Sequence, residues 1–302
     1  MAADTESQTH SMIAAIKAGV FRQDKQPREV SAHGRAWPGL EKAIATALGS
    51  SAIASIEKDR QVHAAELEAE VRRKHEEMVR MSAKRQAALD VAAEARQADI
   101  AALPVGEITF LDTPFFIWGE PDYRIEPQAL PNNSTAKFKF HESSSGNEEV
   151  SFWFQWTNDG DTPAILDVFG ELTFNGSASV WATGGHLDGS TSFVTFTVNL
   201  EPLRWWQQPP TEPQPFQPSQ FNPMASAFAS AHWYQGHATA SIPVFGSRGC
   251  SFQTFVVPPH ATAVFKMVLE LSYSVDDGTV DVDFESGAFA LSCPGILLRR
   301  TG

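Results

Sequence analysis

The 302-residue sequence lacks the motifs by which common enzyme classes are recognised. It contains no G-x-S-x-G nucleophile elbow, P-loop, Rossmann glycine fingerprint or H-E-x-x-H zinc motif. Serine, histidine and aspartate are present, but no sequence motif places them together as a catalytic triad. The acidic residues are too numerous for the sequence to identify a carboxylate pair that cleaves a glycosidic bond. We therefore predict that the protein is not an enzyme.

Cysteine is scarce, since Cys250 and Cys293 are the only two in the chain. Each lies next to a predicted strand, so the pair either bridges two strands or stays as two buried thiols. The N-terminus lacks the basic-then-apolar layout of a secretory signal, and no apolar run is long enough to cross a bilayer as a helix. We expect synthesis in the cytoplasm without a signal peptide and no transmembrane helix. A place in an extracellular or phage-like particle is a further prediction.

Basic residues are few from residue 105 onward, where the chain has eight basic and twenty-one acidic side chains. This excess accounts for the whole net charge of −13. Such a surface repels phosphate backbones, so nucleic acid is excluded as a partner.

Proline is absent between Leu40 and Leu103, and Gly49 is the only glycine there. Proline and glycine stand just before and just after this stretch, as is typical of helix ends. The sequence therefore predicts a long helical or coiled-coil region within residues 37–104. At 1.5 Å per residue its main part is roughly 75–80 Å long, which exceeds a compact domain.

The apolar stripe of this predicted helix is thin, and charged residues such as Arg60 and Lys74 interrupt it. Isolated helices gain most of their stability from packing, so the helix needs a partner. We predict copies of the same chain or other protein subunits as partners. Packing along the chain's own β domain is the alternative. The predicted helix seam consists of Ile53, Ile56, Leu67, Val71, Met78 and Met81.

Short stretches of alternating apolar and polar residues replace the helical pattern from residue 105 onward. The clearest is Ala263 to Glu285, a predicted hairpin with its turn at Asp277-Gly278. Its alternate residues from Phe265 to Phe284 are expected in a core, whereas Asp281, Asp283 and Glu285 are expected to face water. The predicted fold is a segregated α+β class, with a long N-terminal helix followed by an antiparallel, jelly-roll-like β-sandwich over 105–302.

Charged residues are also missing between Pro213 and Ser247. This uncharged segment begins inside a proline-rich insertion, 207–223, which we predict to be an extended excursion rather than a strand. The small and aromatic residues after it predict a buried strand, with a membrane-inserting hairpin as the alternative.

The first 36 residues form a predicted N-terminal arm. Ile13, Ile16 and Val20 share one face of a short amphipathic helix, which Ser11 is placed to cap. This helix docks either on a neighbouring subunit or on its own chain.

Tryptophan is the best indicator of a contact surface, because exposed rings stack on sugars or grip a protein partner. Trp205 and Trp206 precede the proline-rich insertion and Trp233 follows it, so these three are the candidate glycan or partner contacts. No cofactor is expected. The alternative is a calcium ion near Asp159 and Asp161, although the same residues are ordinary turn formers.

These features favour a structural or attachment subunit of a fibre, tail, injection apparatus or particle, which oligomerises through its helix and presents a β-sandwich head. That interpretation rests on analogy between architectures. The alternatives are a lectin-like carbohydrate-binding module and a membrane-inserting toxin.

Overall fold

The computed structural model contains two helices and two antiparallel β-sheets in the part of the chain that it describes. Both sheets have a face turned towards the other sheet and an outer face that carries one of the helices. The described residues are 2–19, 43, 46–102, 108–120, 125–184, 189–213, 223–232 and 236–301.

Helix α1 spans Ala2–Lys17 and helix α2 spans Ser50–Ala101. The strands follow in chain order: β1 Ile108–Leu111, β2 Phe116–Glu120, β3 Ile125–Gln128, β4 Ser134–Glu142, β5 Gly146–Thr157, β6 Ala164–Thr183, β7 Ser190–Leu203, β8 Pro223–Ala231, β9 His237–Val257, β10 Thr262–Val275, β11 Gly278–Asp283, β12 Ala290–Cys293 and β13 Ile296–Arg300.

The first sheet, sheet A, is built around the long strand β6. Strand β9 pairs along one edge of β6, while β13, β12 and β11 pair in turn with the other edge. Strand β4 continues the sheet from β11 and β12, β3 pairs with β4, and β1 pairs with β13. The second sheet, sheet B, has the order β2-β5-β10-β7-β8.

Aromatic and aliphatic side chains from the facing sides of both sheets fill the space between them. The predicted fold class is confirmed, because a long N-terminal helix precedes an antiparallel β-sandwich. In the hairpin, every alternate residue from Phe265 to Val275 is buried, as are Val280, Val282 and Phe284. The largest fully buried rings of this core are Phe138, Phe152, Phe154, Phe174, Phe196, Phe255, Phe265 and Phe284.

Asp283 corrects the hairpin prediction, since it was expected to face water but is only 4% exposed. The reason is α2, which lies on the outer face of sheet A and contacts Asp283 through His75. The helix runs antiparallel to β6: Arg60 donates to the carbonyl oxygen of Gly184 near one end, and Arg96 pairs with Glu171 near the other.

Helix α2 therefore packs along its own β domain, which was the alternative to self-association. The premise that this helix must rest on other molecules is corrected, because the same chain supplies a partner surface. Among the described residues, no helix is long and apolar enough to cross a membrane.

Helix α1 packs on the outer face of sheet B, so the own-chain alternative holds for it too. It begins at Ala2, so Ser11 lies inside the helix rather than at its cap. Met12 and Ile16 are its buried apolar residues, while Ile13 is only half-buried. Val20 lies outside the described residues, as does most of the proline-rich insertion.

Candidate functional site

The outer face of sheet B is arranged in rows that cross the strands, because directly paired residues lie on the same face. Successive rows are two residues apart along each strand, or about 7 Å. Beginning under α1, the rows across β5, β10 and β7 are Gln155–Val264–Leu203, Trp153–Lys266–Glu201, Ser151–Val268–Asn199, Glu149–Glu270–Thr197 and Asn147–Ser272–Thr195, and Phe193 then pairs with Phe228 of β8.

One end of this face, here called the covered half, lies beneath α1. Met12 and Ile16 pack against Trp153, Val264 and Leu203, all of which are buried. Gln8 Nε2 donates to Thr262 Oγ1 at 3.2 Å, and the amide of Gln155 meets Thr9 at 3.4 Å. The covered half is completed by the half-buried Phe116, Trp118 and Trp205.

A buried ion cluster separates the two ends of the face. Lys266 Nζ lies 3.0 Å from carboxylate oxygens of both Glu149 and Glu201, and 5.5 Å from the centre of the Trp153 ring. Burial on its own would lower the pKa of Lys266, but the charges of Glu201 and Glu149 outweigh burial and raise it. The lysine is therefore held charged, and it fixes both carboxylates in place.

The other end, here called the open half, presents hydrogen-bonding groups beside two phenyl rings. Ser272 Oγ donates to Asn147 Oδ1 at 2.6 Å, and Glu270 lies directly between Glu149 and Thr197. Phe228 is 60% exposed and pairs across strands with the half-buried Phe193. The open half consists of Asn147, Glu149, Glu270, Ser272, Thr195, Phe193 and Phe228.

The three tryptophans predicted as contacts lie in different surroundings. Trp205 belongs to the covered half, beside α1. Trp206 packs against the sandwich core, with its ring centroid 6.0 Å from that of Phe255. Trp233 lies outside the described residues. The exposed ring pair Phe193–Phe228 was missed, because its signal was only a phenylalanine in each of two strands that the sequence does not show to be neighbours.

The predicted helix seam coincides only in part with the face of α2 that meets sheet A. Met78 is buried, but Met81 is 39% exposed. Ile53, Ile56, Leu67 and Val71 are half-buried. The contacts with sheet A come instead from Arg60, His75, Ser82, Gln86 and Arg96, which follow the 3.6-residue period of a straight helix.

A buried polar network holds α2 to sheet A. Asn175 Nδ2 lies 3.0 Å from the carbonyl oxygen of Ser82, 3.1 Å from Gln86 Oε1 and 2.8 Å from the carbonyl oxygen of Ala288. The backbone N–H of Ala288 donates to Ser82 Oγ at 3.1 Å. A Cβ at Gly287 would lie 3.2 Å from Ser82 Oγ, so glycine permits this approach at φ +62°.

Beside this network, Ser177, His75 and Asp283 have the residue types of a hydrolytic triad. Ser177 Oγ lies 3.3 Å from His75 Nδ1, and His75 Nε2 lies 3.3 Å from Asp283 Oδ2. Ser177 is only 3% exposed beneath α2, so a substrate does not reach it in this arrangement. Burial would raise the pKa of Asp283, but hydrogen bonds from Ser286 and Glu285 and the charge of Lys139 lower it.

The residues of the calcium alternative form a surface turn. Asn158 is buried, and its Nδ2 lies 2.8 Å from the carbonyl oxygen of Thr162. Asp159 and Asp161 are exposed, and Asp161 lies 3.3 Å from His260. Among the described residues, no group of three or more metal-ligating side chains converges. Calcium binding at this turn stays a prediction.

Both cysteines are free thiols, so the bridged alternative does not hold in this structure. Cys293 is fully buried, and burial raises the pKa of its thiol to about 12. Cys250 lies on β9, where its Sγ is 3.2 Å from the carbonyl oxygen of Val198.

No protein-family model matches the sequence, and no curated protein matches it. The chain is similar to a carbohydrate-binding module solved with beta-1,4-galactotriose, at 8% identity over 62% of this chain and 88% of that one, with a TM-score of 0.19. A xylan-binding domain from Paenibacillus barcinonensis is 7% identical over 64% and 97% of the two chains, with a TM-score of 0.21. The active domain of tailspike protein 4 from bacteriophage CBA120 is 11% identical over 66% and 20%, with a TM-score of 0.17.

Proposed function

We propose that this chain is a non-enzymatic glycan-binding protein that recognises a carbohydrate with the open half of sheet B. The observation that carries the proposal is that the exposed Phe228 and its half-buried partner Phe193 lie on the same sheet face as a row of hydrogen-bonding groups. Phe193 and Phe228 supply ring faces, and the adjacent rows supply carboxylate, amide and hydroxyl groups.

This combination matches the two kinds of surface that a sugar ring carries. Its C–H faces pack on aromatic rings, and its hydroxyl groups hydrogen-bond with carboxylates and amides. Ser272 and Asn147 are already oriented by their mutual hydrogen bond, and Lys266 fixes Glu149. Groups that are held in place before binding lose less conformational entropy when the ligand arrives.

The charge of the face restricts the class of glycan. Glu149, Glu201 and Glu270 outnumber Lys266, so the described part of this face is acidic. A sulfated or uronic-acid chain would meet like charge, which costs affinity. We therefore propose neutral oligosaccharides as ligands.

Isothermal titration of wild-type protein against neutral and anionic oligosaccharides tests the proposal. Phe228→Ala and Glu270→Ala should each weaken binding of a neutral ligand by about tenfold. An aromatic contact contributes roughly 0.5–1.5 kcal/mol, and a hydrogen bond to a charged group roughly 1.5–3 kcal/mol. Phe245→Ala is the matched control, because Phe245 is an exposed phenylalanine on β9 of sheet A. Failure of every neutral glycan to bind would refute the proposal, as would an equal loss in the control.

Self-association through α2 is a second candidate, supported by exposed valines on its free side. Val62 is 51% exposed and Val91 66% exposed, and the helical period places both opposite Arg60 and Ser82, which meet sheet A. Light scattering at micromolar concentration tests it. A dimer or larger oligomer that dissociates in Val62→Glu/Val91→Glu supports an assembly role, whereas a wild-type monomer contradicts it.

A further inference from the structure

We propose that α1 is a displaceable cover over an aromatic extension of the glycan site, so that α1 docking and binding of a long oligosaccharide compete. This inference rests on the proposed function of the open half. In this proposal the covered half provides additional contacts for a long oligosaccharide, whereas a short oligosaccharide binds to the open half alone.

The side chains beneath α1 include five large rings. They form one cluster, and the Phe116 and Trp118 rings stack with their centroids 5.7 Å apart. The five are Phe115, Phe116, Trp118, Trp153 and Trp205. Ring faces of this kind pack against apolar groups, and the C–H faces of sugars present such groups as do the side chains of a helix.

The covered half and the open half lie on the same strands, with the buried ion cluster between them. Trp153 lies two rows from Glu149 on the same strand, about 13 Å along the sheet. Lys266 touches both parts, because it lies over the Trp153 ring and pairs with Glu149. A linear ligand that lies along β5 and β10 from the Phe228 end reaches the covered tryptophans without leaving the face.

An unsatisfied donor also marks the covered half. The Trp118 Nε1 atom is buried and has no hydrogen-bond acceptor, which is costly for an N–H group. Helix α1 supplies no oxygen to this donor. A sugar hydroxyl or ring oxygen that replaced the helix would supply one.

The attachment of α1 is slight for a helix of 16 residues. Among its described side chains, the buried apolar ones are Met12 and Ile16, and its hydrogen bonds to Thr262 and Gln155 measure 3.2 Å or more. Lys17 Nζ adds contacts of 5.6 and 5.9 Å with the centres of two rings of the covered half. Isolated helices of this length are marginal in water, so detachment and unfolding of α1 are coupled. Peripheral elements with few buried contacts open locally well below the free energy of global unfolding.

The experiment compares two glutamate substitutions on α1 in the full chain. Met12→Glu places a charge against Trp153 and should release α1, whereas Ala14→Glu adds the same charge at an exposed position of the same helix. Hydrogen exchange of the α1 amides reports release. Affinity is measured for a neutral hexasaccharide and for the disaccharide of the same linkage.

The expected result is a gain of about tenfold for the hexasaccharide in Met12→Glu, because the competing docked state is removed. The disaccharide should bind all three proteins equally, since it occupies only the open half. In the wild type, saturating hexasaccharide should accelerate exchange of the α1 amides. Unchanged or slower exchange would overturn the proposal without requiring any variant to fold.

The outcomes separate the two proposals. If wild-type protein binds both ligands and Met12→Glu releases α1 without a gain for the hexasaccharide, the cover is refuted and the open half stands. If neither ligand binds any of the three proteins, the proposed function fails and the cover fails with it.

Discussion

The two helices cover opposite sides of the same sandwich by different chemistry. Helix α2 meets sheet A through buried polar groups such as Asn175, Ser82 and Asp283. Among the described side chains of α2, Met78 is the one buried apolar residue. Helix α1 meets sheet B through Met12 and Ile16 and a cluster of rings. Polar networks require one register, because a shifted partner leaves buried donors and acceptors unsatisfied, whereas apolar contacts depend little on direction.

This difference indicates which helix is held firmly on the sandwich and which is more easily displaced. Displacing α2 exposes the buried Asp283 network and interrupts two contacts of Asn175, those with the carbonyl oxygen of Ser82 and with Gln86 Oε1. Displacing α1 exposes rings that, in the proposed function, an oligosaccharide would cover. Under the proposal for α1, the same sandwich carries a fixed layer on one face and an exchangeable layer on the other.

The largest expected loss of stability comes from substitution of Asp283, which disrupts the contact between α2 and sheet A. Asp283→Ala removes acceptors for the backbone N–H groups of Glu285 and Ser286 and leaves Lys139 and His75 without their carboxylate. Leaving two backbone N–H groups without their acceptor costs roughly 1–3 kcal/mol each, and the loss at the more exposed Lys139 and His75 adds less. The free energy of unfolding in urea measures it.

Asp281→Ala is the matched control, since Asp281 lies two residues away on the same strand and pairs with the exposed His141. A surface pair contributes about 0–1 kcal/mol. Equal destabilisation by the two substitutions would show that Asp283 does no more than a surface carboxylate, and the polar network would lose its role in fixing α2.

Met12→Ala tests the exchangeable layer and should produce a smaller, local effect. Truncating a buried methionine costs about 2–5 kcal/mol, limited here by the free energy with which α1 is docked. We expect faster hydrogen exchange in α1 and an almost unchanged urea midpoint for the β-sandwich. Ile13→Ala, at the neighbouring half-buried position, serves as the control. Loss of protection throughout sheet B would show that α1 belongs to the folding core.

The sequence predicted the strand pattern and the long helix well, because both depend on local periodicity. The alternation from Phe265 to Phe284 defines one buried face whatever covers the other. Asp283 was expected at the surface because the alternation of a strand shows only which residues share a side of the sheet. It does not show what covers that side, which here is α2, a helix much earlier in the chain.

The site was harder to predict, since cross-strand neighbours depend on sheet order. Phe193 and Phe228 meet only because β8 pairs with β7, and the masking of Trp153 depends on where α1 docks. The heptad seam was placed on Met81 because a coiled coil was assumed. A straight helix on a sheet instead buries Ser82.

Glu148 provides a pH test that is independent of both helices, because it lies between the sheets at the end of β5. Burial, and to a smaller extent the charge of Glu142, raises the pKa of Glu148 from 4.5 to about 7, against the opposing hydrogen bond from Tyr273. The folded state therefore binds this proton more tightly than the unfolded state does. Stability should fall as the pH rises from about 4.5 to above 7.

Glu148→Gln should remove this dependence and stabilise the protein at pH 8 by about 1–2 kcal/mol, with no gain at pH 4. Urea unfolding at the two pH values measures the difference. Glu285→Gln, at an exposed position, is the control. A gain of the same size at pH 4 would mean that the effect comes from packing rather than from the carboxylate charge.

His237 gives the smallest effect and tests whether α2 is fixed along its whole length. Burial and then the charges of Arg60 and His63 lower the pKa of His237 below 6.5, and its buried Nδ1 has no hydrogen-bond partner. The unfolded state therefore binds the proton first, so stability is full above pH 6.5 and is lost as the pH falls below it. Near His75, the contact between its Nε2 and the Asp283 carboxylate holds the helix to sheet A.

Acidification from pH 7.5 to 5.5 should therefore loosen α2 around Arg60 while the segment around His75 stays protected in hydrogen exchange. His237→Gln should abolish the loosening, a change of less than about 1 kcal/mol, whereas His141→Gln at an exposed position should not. Uniform loosening along α2 would show that the helix is released as one body, which would make it as exchangeable as α1 and remove the difference between the two layers.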